Sequence, residues 1–258
     1  MLAEIKNINF SYEEGHSILH DISFPIDKGQ IITILGPNGV GKTTLLNCIA
    51  NLITPTAGEI MLEGRALNKM SPKEIAMKIA FVPQLIVPSF SYEVLSYVVT
   101  GCAPRIGTFE KPKKFHYDIA RSALEQMGIT HISHKYYTHI SGGERQLASI
   151  ARALAQRPKI ILMDEPTAHL DYGNQIKVLK IIKNIAEDGF SAVITTHNPD
   201  HALLLGGKVA ALSQNGQFVF GKTEEVISKE FLSMLYDTDL HLYHISDINR
   251  DVCIVPTI

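Results

Sequence analysis

The amino-acid sequence predicts an α/β fold with a parallel-sheet core, a small antiparallel β layer and a helical insertion. The core is indicated by a strand-like run at 159–164, which is followed by a helical pattern at 174–189 and a second strand-like run at 191–197. Such βαβ alternation produces parallel strands. Short alternating strands over residues 1–35 predict the antiparallel layer, and the helical pattern at 86–156 predicts the insertion.

Local signals indicate several element boundaries. Residues 13–16 (EEGH) predict a loop between the first two strands. Ser71, with a proline next and Glu74 three residues later, predicts a capped helix start, and Asn198 before a proline predicts another. The pair Asn215–Gly216 between two apolar runs predicts a two-residue β-hairpin turn.

These patterns divide one domain of 258 residues into three parts. Residues 1–85 and 157–235 are expected to form the core with its β layer, and residues 86–156 the helical subdomain. Residues 236–258 remain as a short C-terminal tail.

A glycine-rich loop follows the apolar run 30–35 and has the full GxxxxGK[ST] pattern. Its glycines let successive backbone N–H groups point at one centre, where a phosphate fits, and the helix expected to begin near Lys42 adds the positive end of its dipole. Lys42 supplies a mobile cation for the β- and γ-phosphates, and the Thr43 hydroxyl is placed to bind Mg²⁺. The predicted nucleotide-binding residues of this phosphate loop are Gly36, Pro37, Asn38, Gly39, Val40, Gly41, Lys42, Thr43 and Thr44.

A second glycine-containing turn, ISGGERQ at 140–146, allows two interpretations that do not exclude each other. Ser141 followed by Glu144 forms a capping box at the start of a helix. Gly142 and Gly143 also expose backbone N–H groups beside the serine hydroxyl, which makes a second candidate anion site.

Two adjacent acids end the apolar run at 159–164. Such a run is typical of a buried parallel strand, which would deliver Asp164 to the carboxyl edge of the sheet, where ligand sites of α/β proteins lie. There Asp164 can hold Mg²⁺, directly or through water. Glu165, one residue further, can polarise a water in line with the γ-phosphate.

Composition excludes some classes of protein. At 45% hydrophobic residues the chain can bury a full core, yet no stretch reaches the ~20 consecutive apolar residues that span a membrane. A formal charge of −2 gives no basic footprint, so no nucleic-acid partner is expected. Cys48, Cys102 and Cys253 are expected to be buried and reduced, as in a cytosolic protein, and the N-terminus lacks the layout of a signal peptide.

The ordered motifs carry a family resemblance over nearly the whole chain. GPNGVGKTT, a lone Gln84 after the run IAFVP, ISGGERQ, ILMDEP, AHLD at 168–171 and TTH at 195–197 resemble the nucleotide-binding subunit of ATP-binding cassette (ABC) transporters. The resemblance implies a P-loop NTPase (RecA-like) core that hydrolyses ATP with Mg²⁺.

In that family two subunits face head to tail, with each ATP between one subunit's phosphate loop and the other's ISGGERQ-type signature. The resemblance therefore implies that Ser141, Gly142 and Gly143 bind the γ-phosphate held by the partner chain of a homodimer. It further assigns adenine stacking to Tyr12, Mg²⁺ and water sensing to Gln84, interface crossing to Asp171 and γ-phosphate contact to His197. The implied Mg²⁺ ligands are Thr43, Gln84 and Asp164. Ile140, Glu144 and Val40 depart from the commonest family residues.

The segment after Gln84 and the short tail are similar to subunits of metal-chelate importers, which handle siderophores, haem or cobalamin, with some members handling molybdate or tungstate. This implies polytopic membrane permease partners, an indirect periplasmic binding protein and a peripheral position on the cytoplasmic face of the bacterial inner membrane. Three alternatives stay open: a soluble ABC ATPase of iron–sulfur assembly, an ABC exporter subunit, and a small-molecule P-loop kinase. The kinase would explain the phosphate loop but not SGGE or the acid after ILMD.

Overall fold

The computed structural model describes residues 1–12, 17–84, 91–107 and 109–256. It divides into two compact units, unit 1 with Met1–Lys69 and Ile185–Ile258, and unit 2 with Met70–Asn184. The predicted loop at 13–16 lies outside the described residues, and the proposed boundaries at 86 and 156 stay a prediction. No helix of the described part of the chain is long and apolar enough to cross a membrane.

Strands and helices are interspersed along the described chain. The strands are β1 (Ala3–Ser11), β2 (Ser17–Ile26), β3 (Ile31–Leu35), β4 (Ala57–Leu62), β5 (Arg65–Ala66), β6 (Ile79–Val82), β7 (Ile160–Met163), β8 (Ser191–Thr196), β9 (Lys208–Leu212), β10 (Phe218–Lys222), β11 (His241–Ile245) and β12 (Arg250–Ile254). The helices are α1 (Lys42–Ile49), α2 (Pro72–Ala76), α3 (Val94–Val99), α4 (Lys114–Gln126), α5 (Gly142–Ala155), α6 (Tyr172–Glu187), α7 (Pro199–Leu205), α8 (Thr223–Val226) and α9 (Lys229–Tyr236).

Unit 1 contains the predicted antiparallel layer, with strand order β2-β1-β4-β5. Along β1 the inward positions are apolar, with Ile5, Ile8 and Phe10 almost fully buried. The alternation shifts by one position between Ile5 and Ile8, where the pairing register also shifts and Asn7 has a φ of 49°, so an irregularity there keeps the apolar side chains on the core side.

Unit 1 also contains strands in the order β10-β9-β3-β8, of which β9, β3 and β8 are parallel and β10 is antiparallel to β9. β3 pairs in parallel with both β8 and β9, and Leu35 lies opposite Thr196. β3 is apolar except for Thr33, whereas β8 has an apolar centre between Ser191 and two threonines; both strands are almost entirely buried, as expected for strands covered on both faces. The α/β prediction is therefore confirmed.

The C-terminal segment, which runs from α8 to β12 (residues 223–254), packs into unit 1. Its β11 and β12 form an antiparallel hairpin. A cluster of buried residues joins this segment to β3, α7 and β9, and its members are Leu35, Ala202, Val209, Ala211, Val226, Ile227, Leu232, Leu235 and Leu240. Leu242 and Cys253 of the hairpin pack against this cluster.

Unit 2 combines parallel strands with helices. β6 and β7 pair in parallel with Val82 opposite Met163, and α3, α4 and α5 pack against one another. The Ser149 hydroxyl on α5 lies 3.2 Å from the hydroxyls of both Tyr97 and Tyr137, so these three hydroxyl groups are partners for one another.

Two details differ from the sequence predictions. The turn between β9 and β10 is not a two-residue hairpin: the Ser213 amide donates to the Gln217 carbonyl, and the Ser213 hydroxyl accepts from the Gln217 amide, which leaves three residues in the turn. The side chain thus takes the place of a second ladder bond. Cys253 is only half-buried, whereas Cys48 and Cys102 are buried as expected.

Candidate functional site

The phosphate loop joins β3 to α1 in unit 1, as predicted. Lys42 is the first residue of α1 and only 5% exposed. Its ammonium donates hydrogen bonds of 2.9 Å to the Gly36 carbonyl and 2.8 Å to the Pro37 carbonyl. The lysine side chain therefore crosses its own loop, and its charge lies near the N-terminal end of α1.

The start of α1 has a glycine as its N-cap. Gly41 has a φ of 101° and no side chain that could accept from the first amides of the helix. A Cβ on Gly41 would lie 2.7 Å from Cγ2 of Ile18, so both the backbone conformation and the space require glycine. A glycine N-cap leaves room for a phosphate at the positive end of the helix dipole.

Two further predicted residues lie near the phosphate loop in unit 1. The Tyr12 hydroxyl is 3.4 Å from the Thr44 hydroxyl of α1, while its ring is 65% exposed and meets Phe10 edge-on. His197 directly follows β8, whose Thr196 lies opposite Leu35 of β3. Unit 1 therefore brings Tyr12, the phosphate loop and His197 to one edge of its sheet.

A cleft of about 490 Å³ opens beside the same loop. It is lined by Ser17, Ile18 and His20 of β2, by loop residues 38–40 and by the turn 213–216. Its volume lies in the range of small-molecule sites. The sequence motifs mark only residues 38–40 of this lining, because β2 and the turn reach the loop through tertiary packing.

The predicted acidic pair lies at the end of β7 in unit 2. Asp164 is 4% exposed, and its amide donates to the Val82 carbonyl, which extends the pairing of β7 with β6. Glu165 is half-buried and has a φ of 41°, in the left-handed region that residues with a Cβ rarely adopt. Strain of this kind tends to occur at functional sites, because there the surrounding fold imposes the geometry. Gln84 is exposed just after β6, the neighbouring strand.

The turn at 140–146 (ISGGERQ), here called the signature turn, forms the start of α5 and carries its own side-chain cap. The Ser141 hydroxyl accepts from the Glu144 amide at 3.2 Å, and the Glu144 carboxylate accepts from the Ser141 amide at 2.8 Å. The capping box is confirmed. The Ser141 amide lowers the pKa of the Glu144 carboxyl below its usual value, with a smaller opposing contribution from burial. In the described part of the chain, no side chain accepts a hydrogen bond from the amides of Gly142 and Gly143.

Unit 2 brings Asp171 close to this turn. The Asp171 carboxylate accepts from both the amide and the side chain of Asn174, at 2.9 and 2.6 Å, and thereby caps α6. A Cβ on Gly143 would lie 3.1 Å from the Asn174 side chain. The signature turn and the start of α6 thus pack closely through a residue, Asn174, that no motif marks.

The backbone around His197 has several partners in unit 1. The Asn198 amide donates to the Thr196 hydroxyl at 3.1 Å, and the Asp200 amide donates to the Asn198 side chain at 2.9 Å, which caps α7 as predicted. Burial lowers the pKa of His201, whose ring lies 3.2 Å from the Thr196 hydroxyl, so this second histidine stays neutral.

A family model described as ABC transporter matches residues 19–168. The chain belongs to the ABC transporter family. An uncharacterized ABC transporter ATP-binding protein of Haemophilus influenzae is 39% identical over 95% of this chain and 92% of its own length. The molybdate import ATP-binding protein MolC of the same organism is 36% identical over 90% of this chain and 87% of its own. Further relatives are named as ATP-binding proteins for import of iron(3+)-hydroxamate and hemin.

A solved structure agrees with the fold over almost the full chain. It comes from an inward-facing metal-chelate type ABC transporter and aligns with a TM-score of 0.86 and 32% identity, over 98% of this chain and 96% of that one. The protein is therefore an ABC ATPase subunit, which binds ATP and hydrolyses it to power transport. Such subunits work in complexes with membrane permeases.

Proposed function

We propose that this chain powers an importer for a metal chelate, such as a siderophore, haem or cobalamin, or for an oxyanion such as molybdate or tungstate. The observation that carries this proposal is the near full-length likeness to ATPase subunits of that importer class. The subunit would act as a homodimer on the cytoplasmic face of the bacterial inner membrane, beneath a polytopic permease that receives cargo from a periplasmic binding protein.

In the proposed reaction the phosphate loop binds ATP through backbone amides of the loop and of the start of α1. Lys42 exchanges its carbonyl partners for the β- and γ-phosphates, and the Tyr12 ring, which is largely exposed, stacks on adenine. The Glu165 carboxylate takes a proton from the attacking water as the oxygen bonds to the γ-phosphorus and the bond to ADP breaks. His197 donates a hydrogen bond to the γ-phosphate, and Gln84 orients the water.

Mg²⁺ fits the side chains assigned to it. The Thr43 hydroxyl, the Gln84 amide oxygen and the Asp164 carboxylate are hard oxygen donors, and one carboxylate with neutral oxygens is the set that Mg²⁺ prefers beside phosphates. Asp164 is almost fully buried at a strand end, so its carboxylate is held in one place. When bound, the ion neutralises charge on the β- and γ-phosphates.

The homodimer proposal rests on the signature turn. Among the described residues no side chain accepts from the amides of Gly142 and Gly143, and the Ser141 hydroxyl lies beside them at the same helix start, so this turn can offer hydrogen-bond donors to an anion. We assign this site to the γ-phosphate held by the second copy, with Asp171 crossing the interface.

Replacing the proposed base tests the chemistry and the dimer together. Glu165→Gln keeps the size of the side chain but cannot accept the proton, so ATP turnover should fall ~10²–10⁴-fold while ATP still binds. The unhydrolysed ATP should then hold two chains together, which size-exclusion chromatography with ATP would detect. Glu125→Gln, at an exposed position of α4, serves as the control. Near-normal turnover of Glu165→Gln, or a monomer with ATP bound, would contradict the assignment.

Co-purification tests the importer proposal. A tagged chain drawn from a detergent extract of its native cells should bring down a polytopic membrane protein. Lipid vesicles reconstituted with this complex should then transport a ferric chelate or an oxyanion when ATP is supplied. Recovery of a water-soluble scaffold complex would instead favour iron–sulfur assembly.

A further inference from the structure

The C-terminal segment holds the backbone at the proposed γ-phosphate histidine. The hydroxyl of Tyr236, the last residue of α9, donates a 2.8 Å hydrogen bond to the carbonyl oxygen of His197. The acceptor is the backbone carbonyl and not the imidazole. This bond therefore restrains the peptide that leaves His197, and with it the direction in which the imidazole projects.

A second contact from the same segment restrains the start of α7, which follows His197. The amide of Cys253 in β12 donates to the Asp200 carboxylate at 2.9 Å. Asp200 lies in the first turn of α7 and is itself bonded to Asn198. The segment between β8 and α7 is thus held at both ends by residues far along the chain.

The geometry points to Tyr236 as a positioning residue for ATP hydrolysis, which sets the orientation of His197 through its carbonyl. The inference rests on the proposed role of His197. α9 and the β11–β12 hairpin pack on the buried cluster that also contains Leu35 of β3 and Ala202 of α7, so the hydroxyl is held by the same core as the phosphate loop. Burial raises the pKa of the Tyr236 hydroxyl well above its usual value, so it remains a donor at any working pH.

Tyr236→Phe removes only the hydroxyl and is the direct test. The turnover number for ATP, normalised to ATP bound per chain, should fall ~3–10-fold, while KM for ATP should stay within about twofold. This split is expected because the orientation of His197 matters more in the transition state than for binding ATP. Tyr243→Phe is the matched control: it lies in the same segment and is half-exposed, and its hydroxyl makes no hydrogen bond to any described residue.

A double-mutant cycle separates positioning from a general loss of structure. If Tyr236 acts through His197, adding Tyr236→Phe to His197→Ala should cause no further loss of single-turnover rate. A further loss equal to that in the wild-type background, or equal rates for Tyr236→Phe and Tyr243→Phe, would overturn the inference. A normal rate for His197→Ala alone would instead overturn the proposed role of His197, and the inference with it.

Discussion

Two helix starts that the sequence predicts as anion sites differ in their N-cap residues. α1 begins after Gly41 with no side-chain cap, and α5 begins after Ser141 with a reciprocal capping box. Both present the positive end of a helix dipole. The difference shows that the phosphate loop depends on its backbone path, whereas the signature turn depends on side chains that also stabilise its helix.

The largest expected difference between the two starts comes from adding one methyl group. Gly41→Ala forces a Cβ into a left-handed φ and against Ile18, so the free energy of unfolding should fall by ~2 kcal/mol or more and ATP affinity should drop at least ~10-fold. Gly142→Ala has no atom within 4 Å of the new Cβ and should stay within ~0.5 kcal/mol of wild type. Urea unfolding and ATP titration measure both. Equal destabilisation would contradict the distinction.

Removing the serine cap should give a smaller effect with two parts. Ser141→Ala should lower the free energy of unfolding by ~1 kcal/mol, the usual value of an N-cap, and should also slow ATP hydrolysis. Ser71→Ala is an unusually close control, because Ser71 and Glu74 form the same capping box at α2. It should cost similar stability and leave hydrolysis unchanged. If both variants hydrolyse ATP equally well, Ser141 has no role beyond its helix.

The smallest effect should come from the Glu144 charge. Glu144→Gln keeps an acceptor for the Ser141 amide, so at pH 7 the loss of stability should be only ~0.3–0.5 kcal/mol after solvent screening. The folded-state pKa of this carboxyl lies below its unfolded value of about 4.3, so its contribution is present above that pH and is lost as pH falls through the folded pKa. The difference between wild type and variant, as judged by urea unfolding, should therefore shrink as the pH is lowered and disappear once this carboxyl is protonated in the folded protein. A difference that persists there would assign the effect to shape and not to charge.

Sequence alone predicted the features that depend on neighbouring residues. The start of α1 at Lys42, the capped helix start at Ser71, the capping box at Ser141 and the buried strand before Asp164 all follow from residues within a few positions of one another, and the structure confirms them. The roles of the site residues stay predictions that the experiments above address.

Features that depend on distant residues could not be predicted in this way. The contact of Tyr236 with His197 joins residues 39 positions apart, and the amide of Cys253 reaches Asp200 across 53. No local pattern marks either contact. The turn after β9 was misjudged for a related reason: the Ser213 side chain competes with the backbone for the Gln217 amide, and the Asn–Gly pair does not reveal this competition.

If Lys42 binds the β- and γ-phosphates as proposed, its bonds to the carbonyls of Gly36 and Pro37 make nucleotide binding an exchange of hydrogen-bond partners. A nearly buried ammonium leaves two good acceptors only if the ligand offers better ones, and phosphate oxygens beyond the α-position do so. Adenosine and AMP carry no such phosphate, so they offer Lys42 no replacement for its two carbonyl acceptors, whereas ADP and ATP do. In this role the lysine distinguishes nucleotides by their number of phosphate groups. The enthalpy of binding measured for each nucleotide is then the difference between the hydrogen bonds of Lys42 to phosphate and those to the two carbonyls.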